Sequence, residues 1–237
     1  MMNLRQFAGA VEEYLFPRGC AVCGAMLMDP EEAQYGLCAE CRAGLTIAQE
    51  TRCSQCGRPL ISEIGVCLAC RNGEPWHADQ STALFPYTGI YRDLLSAYKF
   101  GRYRRTGVFL AEKILEGLAL LPLSPSAELV PVPPRPGKLK KTGWDQISVL
   151  AAILSRTKSC PRICRCLKRL PSQSQKELDK ENRKINLTRR IRHTRKVPKE
   201  AVVFDDVITT GSTLNACAAA LKEAGAEKVY GICLFYA

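Results

Sequence analysis

The sequence predicts an α/β protein: a mostly parallel sheet flanked by helices, preceded by a small metal-stabilised module. Three observations predict it. From about residue 80, apolar runs of strand length alternate with segments of helical periodicity, the pattern of strands joined by helical crossovers. Between Cys20 and Cys70, eight cysteines fall in four C-x-x-C pairs. Charge is divided by region: residues 1–78 carry a net −3, residues 79–200 a net +16 and residues 201–237 a net −2, within a formal total of +11. Such asymmetry predicts two parts with different tasks. At 46% hydrophobic and 24% charged residues, wholesale disorder is excluded. No apolar run approaches the roughly 18 to 20 residues of a bilayer-spanning helix. The opening stretch MMNLRQFAGAVEEYLF carries Glu12 and Glu13 and has no continuous apolar core, so a secretory signal is not expected. The expectation is a soluble, cytoplasmic protein with no membrane span.

The elements follow in order. Leu4, Phe7, Val11 and Leu15 recur at three- and four-residue spacing and predict an amphipathic helix within residues 1–18. Residues 19–75 hold the pairs Cys20/Cys23, Cys38/Cys41, Cys53/Cys56 and Cys67/Cys70. Dense, paired cysteines in a reducing compartment read as metal ligands, and a C-x-x-C turn offers two of the four thiolates that tetrahedral zinc takes. Gly24 and Gly57 follow the first and third pairs, where a tight turn needs positive φ. The second pair of each set is expected from a neighbouring hairpin. Two structural zinc ions in a repeated ribbon are predicted, each held by four cysteines, with no position left for a catalytic water. Successive pairs can share an ion, or the pairs can interleave; both schemes stay open. So short a segment has few large apolar side chains and needs the metal to fold.

Residues 80–237 are read as one α/β domain. Thr82–Phe85 is predicted as a strand, Tyr91–Phe100 and Thr106–Leu121 as helices, and Leu129–Val132 as a short strand. Gln146–Arg156 is a further helix, Ala201–Phe204 a buried strand running into Asp205 and Asp206, Thr213–Ala224 a helix and Lys228–Tyr236 a final strand.

The segment AVVFDDVITTGSTL, Ala201 to Leu214, carries the chemistry. An apolar strand delivers two carboxylates toward its C-terminal end, where α/β proteins bind ligands. Thr209, Thr210, Gly211, Ser212 and Thr213 then form a hydroxyl-rich turn that opens a helix, and its backbone N–H groups and dipole suit a phosphate. Acids ahead of a phosphate cradle suit a sugar phosphate, because carboxylates accept from sugar hydroxyls. No Gly-Lys-Ser/Thr ending follows, so it is not a P-loop.

This segment resembles the signature of type I phosphoribosyltransferases, which bind phosphoribosyl diphosphate (PRPP): four apolar residues, two acids, two spacers, then T-T-G-x-T. The resemblance implies a phosphoribosyltransferase-like fold in which Asp205 and Asp206 are the catalytic pair and bind the ribose 2- and 3-hydroxyls. Thr209 to Thr213 would then bind the 5-phosphate, with magnesium accompanying PRPP. Further motifs resemble the competence protein F (ComF, GntX-like) family. They are Val130-Pro131-Val132-Pro133-Pro134 followed by RPGKLKKTGWDQ, the Lys99-Phe100-Gly101 helix end, and SQSQKELDKENRKIN with Gln175, Leu178, Arg183 and Asn186. Thr142, Trp144 and Asp145 stand where that family has Arg, Phe and Asn. By this resemblance Pro133, Arg135, Lys138, Lys140 and Lys141 lie in the diphosphate loop and flap of the PRPP site, and the chain takes part in DNA uptake and natural transformation.

Residues 135–200 carry 20 Lys and Arg against 5 Asp and Glu, far more cation than one small ligand needs. Arg189, Arg190, Arg192, Arg195 and Lys196 suggest single-stranded DNA or another polyanion, with Trp144 and His193 as stacking candidates. DNA-uptake proteins are further expected partners. The competing reading is a zinc-ribbon adaptor whose site senses PRPP or is catalytically silent. Cys160, Cys164 and Cys166 lack a fourth nearby ligand, while Cys217 and Cys233 fall on apolar faces and read as core.

Overall fold

The computed structural model describes residues 19–73, 75–100, 103–171 and 190–237. The predicted N-terminal helix, Gly101, Arg189 and the Gln175-to-Asn186 motif lie outside the described residues. In chain order the elements are α1 (Pro30–Tyr35), α2 (Ala39–Gly44), α3 (Leu68–Arg71), β1 (Gln80–Pro86), α4 (Gly89–Lys99), α5 (Thr106–Leu118) and β2 (Glu128–Pro131). There follow α6 (Lys138–Thr142), α7 (Gln146–Leu154), β3 (Leu167–Arg169), β4 (Ile191–His193), β5 (Glu200–Ile208), α8 (Ser212–Glu223) and β6 (Lys228–Tyr236). No described helix is long and apolar enough to cross a membrane.

The chain divides into two compact units: Met1–Thr46 with Thr88–Phe109, and Ile47–Tyr87 with Leu110–Ala237. The cut runs between the two cysteine quartets. In the first unit, α1 is capped at both ends. Asp29 accepts from the Glu32 amide at 2.8 Å, Pro30 opens the helix, and Gly36 closes it at φ 65°. The buried Glu32 carboxylate accepts from the amides of Met28 and Ala39, tying both sides of the helix to the start of α2.

In the second unit four parallel strands form a sheet in the order β1-β6-β5-β2. Leu129 of β2 also exchanges backbone hydrogen bonds with Arg162 and Cys164, which extends the edge by one short segment. β3 and β4 pair as a separate antiparallel hairpin. The strands are apolar on both faces because both are covered. On one face Gly117 of α5 lies so close to Leu84 and Ile232 that a Cβ would be 2.6 Å from Leu84. On the other, Leu214 of α8 comes equally close to Gly231. α8 also packs against β4, and α7 packs against β5 and β2.

One boundary differs from the sequence expectation in a way that matters for the site. β5 does not end at Phe204 but runs to Ile208, because β6 keeps pairing with it through Ile208 opposite Tyr236. β2 has already ended opposite Phe204, and Val132 makes the last hydrogen bond, to the Phe204 carbonyl at 3.1 Å. Asp205 and Asp206 therefore sit inside a strand but beyond the end of its neighbour.

Candidate functional site

The eight ribbon cysteines form two quartets in sequential order, Cys20/Cys23/Cys38/Cys41 and Cys53/Cys56/Cys67/Cys70, with all ligand atoms of a quartet within 4.8 Å of one another. A tetrahedron of zinc–sulfur bonds of about 2.3 Å places its sulfurs about 3.8 Å apart. The Cys23–Cys38 and Cys56–Cys67 sulfur separations are 3.7 and 3.8 Å. The interleaved scheme is thereby ruled out, and the donor sets fit two structural zinc ions.

Each quartet is built the same way. The first pair forms a knuckle: Gly24 donates to the Cys20 carbonyl at 2.9 Å and Cys20 to Ala25 at 2.7 Å, while Gly57 donates to Cys53 and Cys53 to Arg58, both at 2.8 Å. Gly24 and Gly57 take φ 76° and 74°, as their placement after the pairs predicts. The second pair does not come from a hairpin as expected. Cys38 and Cys67 are the N-caps of α2 and α3, so the second pair of each quartet sits at the start of a short helix.

The repeats differ in what surrounds the knuckle glycine. A Cβ at Gly24 would meet no atom of the described residues within 4 Å, whereas one at Gly57 would lie 2.5 Å from the Ala83 amide and closer still to the Thr82 backbone. The second ribbon is thus pressed onto β1, and Arg52 donates there to the Ala83 carbonyl. Cys53, Cys56 and Cys67 are buried in the same apolar core as Val203, Ile208 and Leu214.

The predicted phosphate turn lies at the C-terminal end of β5. Thr209 and Thr210 are exposed, Gly211 is buried at φ 72°, and α8 starts at Ser212. Thr210 and Ser212 share a hydroxyl hydrogen bond of 2.8 Å, and the Ser212 amide donates to Thr210 Oγ1 at 3.4 Å, so their side chains brace the turn where the helix starts. The alternation of a strand sends the two acids to opposite faces. Asp205 is partly buried on the α8 face beside Cys233, and accepts from the Asp206 amide at 2.8 Å. Asp206, buried on the other face, accepts from Gln146 Nε2 at 2.6 Å.

Of the residues expected in the diphosphate loop and flap, Arg135 and Lys140 are exposed, Pro133 is buried, and Lys141 falls in α6. Lys138 is engaged: it donates to the buried Asp145 at 2.8 Å and to Gln146. Asp145 also caps α7 by accepting from Ser148 at 2.9 Å. Lys138 thus supports the Gln146 amide that holds Asp206. Trp144 is buried, which removes it as a base-stacking face; His193 is exposed.

Arg169, Trp76 and Asn215 are among the residues near the site that were not singled out from sequence. Burial holds the Arg169 guanidinium of β3 below the usual arginine range; Arg135 and Arg190 nearby add to this, and Cys217 and Asp205 oppose it. Its Nε is buried without an acceptor among the described residues. Trp76 lies over Gly211, and Asn215 holds the chain on both sides of it, accepting from His77 N at 2.6 Å and donating to Pro75 O at 2.8 Å. Cys217 and Cys233 are core, as expected; burial drives both thiols upward, with Asp205 adding to it. Cys160, Cys164 and Cys166 join no metal-ligand group among the described residues, and burial pushes Cys166 up to about 12.

Comparison with known proteins identifies the ribbon and relatives that span most of the chain. A family model described as a double zinc ribbon domain matches residues 11–71. Competence protein F of Haemophilus influenzae is 28% identical over 209 residues, covering 83% of this chain and 89% of its own. The chain is similar to the competence F proteins over most of its length. Competence protein ComFC of Streptococcus pneumoniae is 25% identical, covering 81% of this chain and 84% of its own. DNA utilization protein YhgH of Escherichia coli K12 is 28% identical, covering 90% and 96%. The similarity to these competence F relatives spans the ribbons and the sheet together.

Proposed function

We propose that this chain binds PRPP with magnesium at the C-terminal edge of β5 and acts in DNA uptake. The observation that carries the reading is the run from Asp205 to Ser212: two carboxylates beyond the end of β2, then a braced hydroxyl turn whose left-handed glycine opens α8. Amides and hydroxyls of Thr209 to Thr213 hold the 5-phosphate, and Asp205 and Asp206 accept from the ribose hydroxyls. The same carboxylates are the hard oxygen donors magnesium takes, and the ion supplies charge neutralisation to the diphosphate. Arg135, near enough to Arg169 to interact with it, supplies positive charge for the departing diphosphate in this reading; Lys140 and Lys141 follow on α6. Such a site supports transfer of the phosphoribosyl group from C1 to an acceptor, with diphosphate as leaving group. It equally supports PRPP sensing by an adaptor.

Titration calorimetry of the zinc-replete chain with PRPP and magnesium tests the reading. Binding is expected in the wild type and lost in Asp205→Asn/Asp206→Asn at unchanged zinc content. Retained binding in that variant, or none in the wild type, overturns it.

A second, compatible function is contact with single-stranded DNA. It is favoured by exposed Arg192, His193, Arg195 and Lys196 on and after β4, and by relatives named for competence and DNA utilization. DNA-uptake proteins are the corresponding protein partners.

A further inference from the structure

The two ribbons share one fold but not one residue that follows the knuckle. After Cys20-Ala21-Val22-Cys23-Gly24 comes Ala25; after Cys53-Ser54-Gln55-Cys56-Gly57 comes Arg58. Both residues accept from the first cysteine's amide, so their backbones are fixed equivalently. Only the second sends out a cation. The Arg58 guanidinium reaches the phosphate turn, where Nη2 donates to the Thr209 carbonyl. Its Nε is buried with no acceptor among the described residues, and the same holds for Trp76 Nε1. Two buried N–H donors, one in the ribbon and one just after it, both without acceptors among the described residues and both on residues packed at one turn, are an unusual combination. A buried donor without an acceptor costs roughly 1 to 3 kcal/mol, so it marks a place where another group completes the bonding.

The surrounding contacts hold this arrangement in place. Gly57 has no room for a Cβ against β1, which fixes the knuckle to the sheet. Asn215, in the first turn of α8, clamps the backbone on both sides of Trp76. Gly211 has no room for a Cβ beneath the Trp76 ring. The ribbon is therefore pinned to β1, the segment after it is held by α8 and by the phosphate turn, and Arg58 stands between the zinc knuckle and Thr209.

We infer that the second zinc ribbon is part of the anion site: Arg58 supplies a guanidinium to the phosphate held by Thr209 to Thr213, and Trp76 covers the turn. The inference rests on the proposed PRPP reading and adds to it a cation donated from outside the sheet. Arginine suits the role because its fork can keep the Thr209 carbonyl on one N–H and offer others to a phosphate oxygen. The first ribbon, with Ala25, supplies no such group.

The test uses the zinc-replete full chain and PRPP with magnesium. Calorimetry compares wild type, Arg58→Gln and Arg58→Lys, each checked for zinc content and circular dichroism. Loss of a charge-assisted hydrogen bond should weaken binding at least about tenfold in Arg58→Gln. Arg58→Lys keeps the charge and should recover most of that loss. The chain has two tryptophans, so Trp144→Phe leaves Trp76 as the sole reporter, and its fluorescence should change on saturation. Wild-type affinity in Arg58→Gln overturns the inference while leaving the PRPP reading standing. So does equal weakness in both Arg58 variants, which would mark Arg58 as only a brace for Thr209. A Trp76 signal indifferent to ligand removes the cover. Absence of PRPP binding in the wild type brings down this inference and the underlying reading together.

Discussion

Replacing Gly211 by alanine tests whether the phosphate turn and the Trp76 cover are one construction. Gly211 has φ 72°, and a Cβ residue pays about 1 to 2 kcal/mol there. The new Cβ would lie 2.5 Å from Trp76 Cζ3 and closer to Cη2, against about 3.5 to 4.0 Å for an ordinary carbon contact. The indole must then retreat by about 1 Å or more, although Asn215 fixes the backbone on either side of it. Exposing about 100 Å² of that ring costs about 2.5 kcal/mol at roughly 25 cal/mol per Å². The substitution should therefore cost about 4 kcal/mol in the wild type, and only the backbone part, about 1 to 2 kcal/mol, once Trp76 is already alanine. A double-mutant cycle of Gly211→Ala and Trp76→Ala, followed by urea unfolding and far-UV circular dichroism, should give a coupling of about 2 kcal/mol. Costs that simply add would refute the packing of Trp76 on Gly211 from which the magnitude is derived.

The order of strands and helices was legible because each apolar segment carries its own period. Lys228–Tyr236 has the predicted bounds, and α5, α7 and α8 lie within a turn of theirs. The end of β5 was not legible: Asp205 and Asp206 read as a terminus, yet pairing with Cys233 and Phe235 carries the strand past them. That pairing belongs to a neighbour, not to the local sequence. The β3–β4 hairpin was missed because Lys168, Arg169, Arg192 and His193 mask any apolar alternation. The zinc ligands were legible from spacing, and the pairing scheme was settled only by which sulfurs converge. The attachment of the second ribbon was invisible, since Arg58 and Thr209 are 151 residues apart. One signal was available: aligning the two knuckles sets Ala25 against Arg58, an asymmetry that an internal repeat does not need for folding.

Two further predictions separate the parts of the molecule. Single-stranded DNA should shift electrophoretically with an affinity that falls steeply with salt, and neutralising Arg192 and Lys196 together should reduce the log–log slope by about 1.4; no shift at low salt would sink the DNA reading. Cys20→Ser and Cys53→Ser should each release about one zinc per chain, because the quartets are sequential. Their consequences should nevertheless diverge. Cys53 is fully buried in one core with Val203, Ile208 and Leu214, the residues that seat β5 and α8, so its loss should lower the unfolding midpoint of the α/β unit and abolish PRPP binding. Cys20 belongs to the other unit, where the equivalent knuckle leads to Ala25 and a Cβ at Gly24 meets none of the described residues, so PRPP affinity should stay within about twofold. Equal loss of PRPP binding in both variants would show that the ribbons act as one module, and the distinction between a site-forming and a separate zinc ion would fail.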